Sequence, residues 1–93
     1  MEILFTPLFR RFVKKQFLPF QVVIQDEVDR ICANPEIGES KRGDLTGFRV
    51  HKFKFKKQEY LMAYEITEKS LIFYMIGFHE NFYRDLKNYL SEV

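Results

Sequence analysis

At Phe48 the apolar residues stop recurring every three or four positions and begin to alternate, and no other feature narrows the fold of this chain as much. From there Arg49, His51, Phe53 and Phe55 alternate with Val50, Lys52, Lys54 and Lys56. Successive strand side chains point to opposite faces, so this is the pattern of a strand with one wet face. Lys57-Gln58-Glu59 reads as a tight polar turn, and Tyr60–Thr67 and Leu71–Phe78 as further strands joined by Glu68-Lys69-Ser70. Three such runs in close succession predict an antiparallel meander. Leu71–Ile76 is nearly all apolar, which predicts a central strand covered on both faces.

Upstream the period is helical. Glu2–Phe5 is a short apolar run, and Thr6-Pro7 has the form of a helix N-cap followed by proline at the first helical position. In Leu8–Phe17 the residues Leu8, Phe9, Phe12 and Val13 share one face, with Arg10, Arg11, Lys14 and Lys15 on the other. Leu18-Pro19 breaks this helix. A second runs from about Pro19 to Asn34, with Phe20, Ile24, Val28, Ile31 and Cys32 on its apolar stripe, and ends at Pro35. Pro35–Gly47 has no periodicity and reads as an exposed connection, the most mobile part of the chain. Glu80–Leu90 returns to helical spacing through Phe82, Leu86, Tyr89 and Leu90. The expected fold class is therefore α+β, in the order β-α-α-β-β-β-α. Two N-terminal helices pack on a twisted, mainly antiparallel sheet, and a C-terminal helix closes it.

With 93 residues, 46% of them hydrophobic, the chain can build one core, so a single domain over 1–93 is expected. Eleven Phe and five Tyr predict an aromatic core. Cys32 is the sole cysteine, which excludes an internal disulfide, fits a reducing compartment, and predicts a small buried hydrophobe. No signal peptide or membrane span is readable, because Arg10, Arg11, Lys14 and Lys15 interrupt the N-terminal apolar residues. A soluble cytoplasmic protein without membrane association follows. Two histidines without C-x-x-C or H-E-x-x-H spacing make no metal-ligand set, and no glycine cluster cradles a phosphate, so neither metal nor cofactor is expected.

Net charge is only +2, but it is unevenly placed. Residues 41–57 hold Lys41, Arg42, Arg49, Lys52, Lys54, Lys56 and Lys57 against Asp44 alone. Residues 19–40, by contrast, set Arg30 against Asp26, Glu27, Asp29, Glu36 and Glu39. A basic strand implies either an anionic partner or a solvated, protected sheet face.

Leu45-Thr46-Gly47, then Lys52-Phe53-Lys54-Phe55, then Tyr60-Leu61-Met62-Ala63-Tyr64 resemble the L-x-G, basic-strand and Y-R-L-x-Y segments of the RelE/ParE toxin family, at the family's spacing. Asn34-Pro35 and the segment Gly77-Phe78-His79-Glu80-Asn81-Phe82-Tyr83-Arg84-Asp85-Leu86 fit the same family. The resemblance spans most of the chain. It implies the toxin of a type II toxin–antitoxin system, with a cognate antitoxin as partner, acting either on messenger RNA at the ribosome or on DNA gyrase. Many family ribonucleases carry an arginine where this chain has Leu61, and others carry one in the last strand. Neither arginine is present, which favours a ParE-like gyrase inhibitor. Gly77-Phe78-His79, in contrast, is similar to the ending of the YafQ branch, in which a histidine takes part in catalysis, and favours a metal-independent endoribonuclease.

Such an enzyme needs cations for the phosphate and groups that take and give a proton. Lys52 and Lys54 lie two apart on one strand, about 7 Å by strand rise, and point the same way. His79 is the titrating group nearest neutrality, and Tyr83, about one helical turn on, can stack on a base or offer its hydroxyl. Arg49, Lys56 and Arg84 are expected RNA contacts. Each also has a plainer reading: lysines that keep a strand soluble, a core position for Phe82 or Tyr83, and an Arg84 paired with Glu80. His51, in phase with Phe53 and Phe55, reads as a core-side or rim histidine.

Overall fold

The computed structural model describes residues 1–92. In chain order it contains β1 (Glu2–Phe5), α1 (Pro7–Lys14), α2 (Leu18–Ala33), β2 (Glu39–Ser40), a 3-10 turn at Gly43–Leu45, β3 (Phe48–Phe55), β4 (Gln58–Ile66), β5 (Ser70–Phe78) and α3 (Phe82–Ser91). The sheet runs β1-β5-β4-β3-β2. The meander β3-β4-β5 is antiparallel throughout, β1 lies parallel beside β5, and the two N-terminal helices carry the chain from β1 at one edge of the sheet to β2 at the other. The expected α+β order is present, with β2 added.

Two apolar clusters hold this sheet from its two sides. On one, Phe9 of α1 and Phe20, Ile24, Val28 and Ile31 of α2 pack on Phe53, Met62, Tyr64, Leu71, Phe73 and Ile76. On the other, Phe82 and Leu86 of α3 join Leu45, Phe48, Val50, Leu61, Ala63 and Met75. Burying a side chain of this size contributes about 1.5–3 kcal/mol. β4 lies between the clusters and is buried at Leu61, Met62, Ala63 and Tyr64 in succession. Between Ala63 and Tyr64 the register with β5 slips, because Ala63 pairs with Met75 and Tyr64 with Phe73. The bulge leaves Tyr74 unpaired. Tyr74 and Met75 consequently both belong to the α3 side, and the following residues resume alternation.

Thr6 caps α1 as its sequence predicts: its hydroxyl accepts from Phe9 N at 3.1 Å and donates to Tyr74 O at 2.7 Å. Gln16 and Gln21 donate to the Phe12 and Val13 carbonyls, each at 2.9 Å, and end that helix. Helix α1 accordingly stops at Lys14, and Phe17 becomes the N-cap of α2 with 52% of its surface exposed.

Three sequence expectations are corrected. Pro35–Gly47 is not a plain exposed connection, since Glu39 and Ser40 pair with Val50 and Arg49, and Leu45 enters the core. Cys32 is exposed. It lies about 80° around the helix from Ile24, beyond the stripe that Ile31 completes. The β3–β4 turn is Lys56-Lys57, one position earlier than expected, with both residues at positive φ (50° and 69°).

Candidate functional site

Strand parity decides which cations act together. Phe48 and Val50 pack with α3, so Lys52 and Lys54 continue the same face beyond the helix, where both are exposed. Lys52 stands opposite Leu61, which stands opposite Gly77, placing its backbone about 10 Å from β5 at two strand spacings. Lys54 faces Glu59 across the hairpin. β5 ends at Phe78, opposite Tyr60, so His79 follows at the strand's end and is exposed.

From His79 the contacts lead back to the lysines. Its ring lies 6.2 Å from that of Tyr83, nearly perpendicular at 84°. Over the Tyr83 ring sits Lys41 Nζ, 4.9 Å from the centroid. Lys41 pairs with Glu39. The hydrogen bond from Lys41 holds the Glu39 carboxyl below its ordinary range, helped by the positive charges of Lys41 and then Lys52. In return that hydrogen bond raises Lys41, against its partial burial. His79, Tyr83, Lys41 and Glu39 are thus linked by successive contacts, Lys52 adds its charge to Glu39, and Lys54 follows two residues on along the same strand face.

Sequence reasoning missed Lys41. It belongs to the basic block, but it lies on a segment without periodicity, and only the pairing of β2 with β3 places it. Lys41 N donates to Phe48 O at 3.0 Å, continuing the ladder past Ser40. Tyr64 anchors the segment from below, accepting from Gly38 N at 2.9 Å and donating to Pro35 O at 2.6 Å. Gly38 is required by close approach, since a Cβ there would stand 2.7 Å from the Tyr64 hydroxyl.

Other expected residues lie elsewhere. Arg49 is on the α2 side, donating to the carbonyls of Glu36 at 3.2 Å and Gly38 at 2.7 Å. Lys56 leaves the strand at the turn and lies over the rings of Phe17 and Phe55, at 4.9 and 5.7 Å. Arg84 is exposed on α3 and lies 3.5 Å from Asp85, not against Glu80. His51 is a rim histidine as expected, 2.6 Å from Glu27 with its side chain 11% exposed.

The residues that carry the family resemblance have physical roles. Leu45 fills the α3-side core, and Gly47 takes φ of 96° to turn the chain into β3. Tyr64 meets the Pro35 carbonyl just past the end of α2. Leu61, where an arginine is common, is fully buried in the cluster with Phe82 and Leu86, so no cation stands in the middle of this face. Its cations come from β3 and from Lys41. Among the described residues no three His, Cys, Asp or Glu side chains gather as metal ligands, and no helix is long and apolar enough to cross a membrane.

Residues 3–87 match the family model of the ParE-like toxin of type II bacterial toxin-antitoxin systems. No curated protein sequence matches the chain.

Proposed function

Since the chain belongs to the family of ParE-like toxins of type II bacterial toxin-antitoxin systems, and so is a toxin with a cognate antitoxin as its counterpart, we propose that it is a metal-independent endoribonuclease that cleaves messenger RNA on the ribosome, in the cytoplasm. One observation carries this reading: Lys52 and Lys54 share the face along whose rim Lys41, Tyr83 and His79 are in contact. Cations on the same face as an imidazole are what in-line attack by a ribose 2′-hydroxyl needs. The 2′-oxygen bonds to phosphorus while the bond to the next nucleotide's 5′-oxygen breaks, leaving a 2′,3′-cyclic phosphate and a 5′-hydroxyl. His79 exchanges a proton at one end of this displacement, as base or acid. Lys52, Lys54 and Lys41 hold the charge that builds on the phosphorane. Tyr83 stacks or lends its hydroxyl, while Arg84 at the helix edge, and Arg49 and Lys56 on the other side, contact more distant phosphates.

A second reading is inhibition of DNA gyrase without cleavage. It is favoured by Leu61, whose complete burial leaves this strand without the arginine common in family ribonucleases. Induction in bacteria separates the two. The ribonuclease reading expects translation to collapse with cut transcripts. Intact transcripts together with altered supercoiling and DNA-damage signalling reject it in favour of gyrase.

A further inference from the structure

On the far side of α3 from Tyr83, a groove of about 500 Å³ runs between α1 and α3 along the end of β5. We propose that it docks an extended, lysine- and arginine-rich segment of a ribosomal protein, added as a short strand to β5. The inference rests on the toxin working on the ribosome, as in the reading above, but not on which residues cut the RNA.

A bare strand edge makes the place. β1 accompanies β5 only from Ser70 to Phe73. Thr6 then closes the ladder, its N–H donating to Phe73 O at 3.0 Å and its hydroxyl to Tyr74 O at 2.7 Å, and the chain leaves as α1. From Met75 to Phe78, β5 therefore has β4 on one side and, among the described residues, no strand on the other. Such an edge offers N–H and C=O groups to an added chain. Four residues give about 13 Å of ladder at strand rise. Leu8 and Phe12 of α1 form one wall of the groove and Phe82 and Tyr89 of α3 the other, so the side chains of the added segment meet apolar surface.

Charge selects the occupant. Glu80, Asp85 and Glu92 stand along the rim, and among the described residues no basic side chain lines the groove. Asp85 has Arg84 beside it at 3.5 Å, whereas Glu80 and Glu92 make no ion pair with a described residue. The last turn of α3 holds no basic residue either, so the negative end of the helix adds to the same potential. At about 100° per residue, Asp85 and Glu92 lie about 160–180° around α3 from Tyr83. One face of this helix thus meets Lys41 and His79, and the opposite face is acidic. RNA is repelled from such a surface. On a particle made of RNA and the basic proteins bound to it, the neighbour that fits is a cationic polypeptide. Its Lys and Arg stems cover the apolar walls while their charges reach the carboxylates. Docking there holds α3 from behind and leaves the face of Tyr83 to the message.

The test uses purified bacterial ribosomes and the full chain carrying photoreactive benzoylphenylalanine in place of Asn88, which is exposed on the groove. Irradiation should join it to the Lys/Arg-rich extension of one ribosomal protein, identified by mass spectrometry. Asp85→Lys with Glu92→Lys should weaken ribosome binding roughly ten-fold, because like charges then face each other, although added positive charge by itself favours an RNA-rich particle. Asp85→Asn with Glu92→Gln should fall between, with circular dichroism confirming the fold of each variant. Adducts to ribosomal RNA alone, or a charge-reversed protein that binds ribosomes as tightly as the wild type or more tightly, overturn the proposal. So do adducts that form with a cognate antitoxin and not with ribosomes. If the protein adduct and the charge effect are found while messages stay uncut, the docking site stands and the ribonuclease reading falls. Cutting by a protein that gives no such adduct keeps that reading and removes the docking site.

Discussion

Replacing Tyr64 by Phe tests whether the segment before β3 is held in place as described. The ring is fully buried, and its hydroxyl is the partner of both Pro35 O and Gly38 N. Tyr64→Phe keeps the packing and removes those two hydrogen bonds. Pro35 is half-buried and can recruit water, whereas Gly38 is buried and its N–H loses its partner. Leaving a buried group unsatisfied costs about 1–3 kcal/mol, and a net loss of about 2 kcal/mol is expected. For a domain of this size that lowers the melting temperature by about 8–16 °C. Urea denaturation should show a lower midpoint at unchanged slope, and the Gly38 amide should exchange faster with solvent than amides of β4. Because the same segment carries Glu39 and Lys41, growth arrest should weaken as well. A stability loss below about 0.5 kcal/mol, within the range of ordinary surface substitutions, together with unchanged exchange at Gly38, would refute the reasoning.

The β3–β4 turn places two lysines at positive φ, where a side chain costs about 1–2 kcal/mol in left-handed geometry. Lys56→Asn with Lys57→Gly, the pair preferred in such turns, should raise stability by about 1–2 kcal/mol in a urea titration, and no gain would contradict the turn geometry. Burial first, and then the Glu65 charge and hydrogen bond, push the Tyr74 hydroxyl from 10.0 up to about 12. Since the folded-state value is raised, the stability it contributes is complete below pH 10 and is lost as pH rises through 12. Tyrosinate absorbance should contain a late component that Tyr74→Phe removes, and a titration already complete well below that range would count against it.

The parts of the fold that show in the sequence are those with a strong period. β3 has alternation, β4 and β5 have apolar runs long enough for covered strands, and α2 has a stripe over four turns. β2 escaped because it has two residues, both exposed, and a strand that short carries no pattern. Its presence depends on Tyr64 and on the edge of β3. Cys32 misled because spacing from Val28 alone places it on the apolar stripe, whereas the stripe is centred nearer Ile24 and Ile31. In the candidate site, the shared direction of Lys52 and Lys54 follows from parity and was legible. Parity likewise assigned Arg49 to the phase of His51 and Phe53, so its place on the α2 side was visible before the structure. Lys41 was not, since its position over Tyr83 is a tertiary contact between the segment after β2 and the first turn of α3.

The account depends most on cleavage of RNA by Lys52, Lys54 and His79. Mapping RNA ends after adding the purified protein to ribosomes translating a defined message tests this directly. New fragments with 5′-hydroxyl ends are predicted for the wild type, with none from folded Lys52→Ala/Lys54→Ala or His79→Ala proteins. An uncut message, or cutting undiminished in those variants, would contradict it.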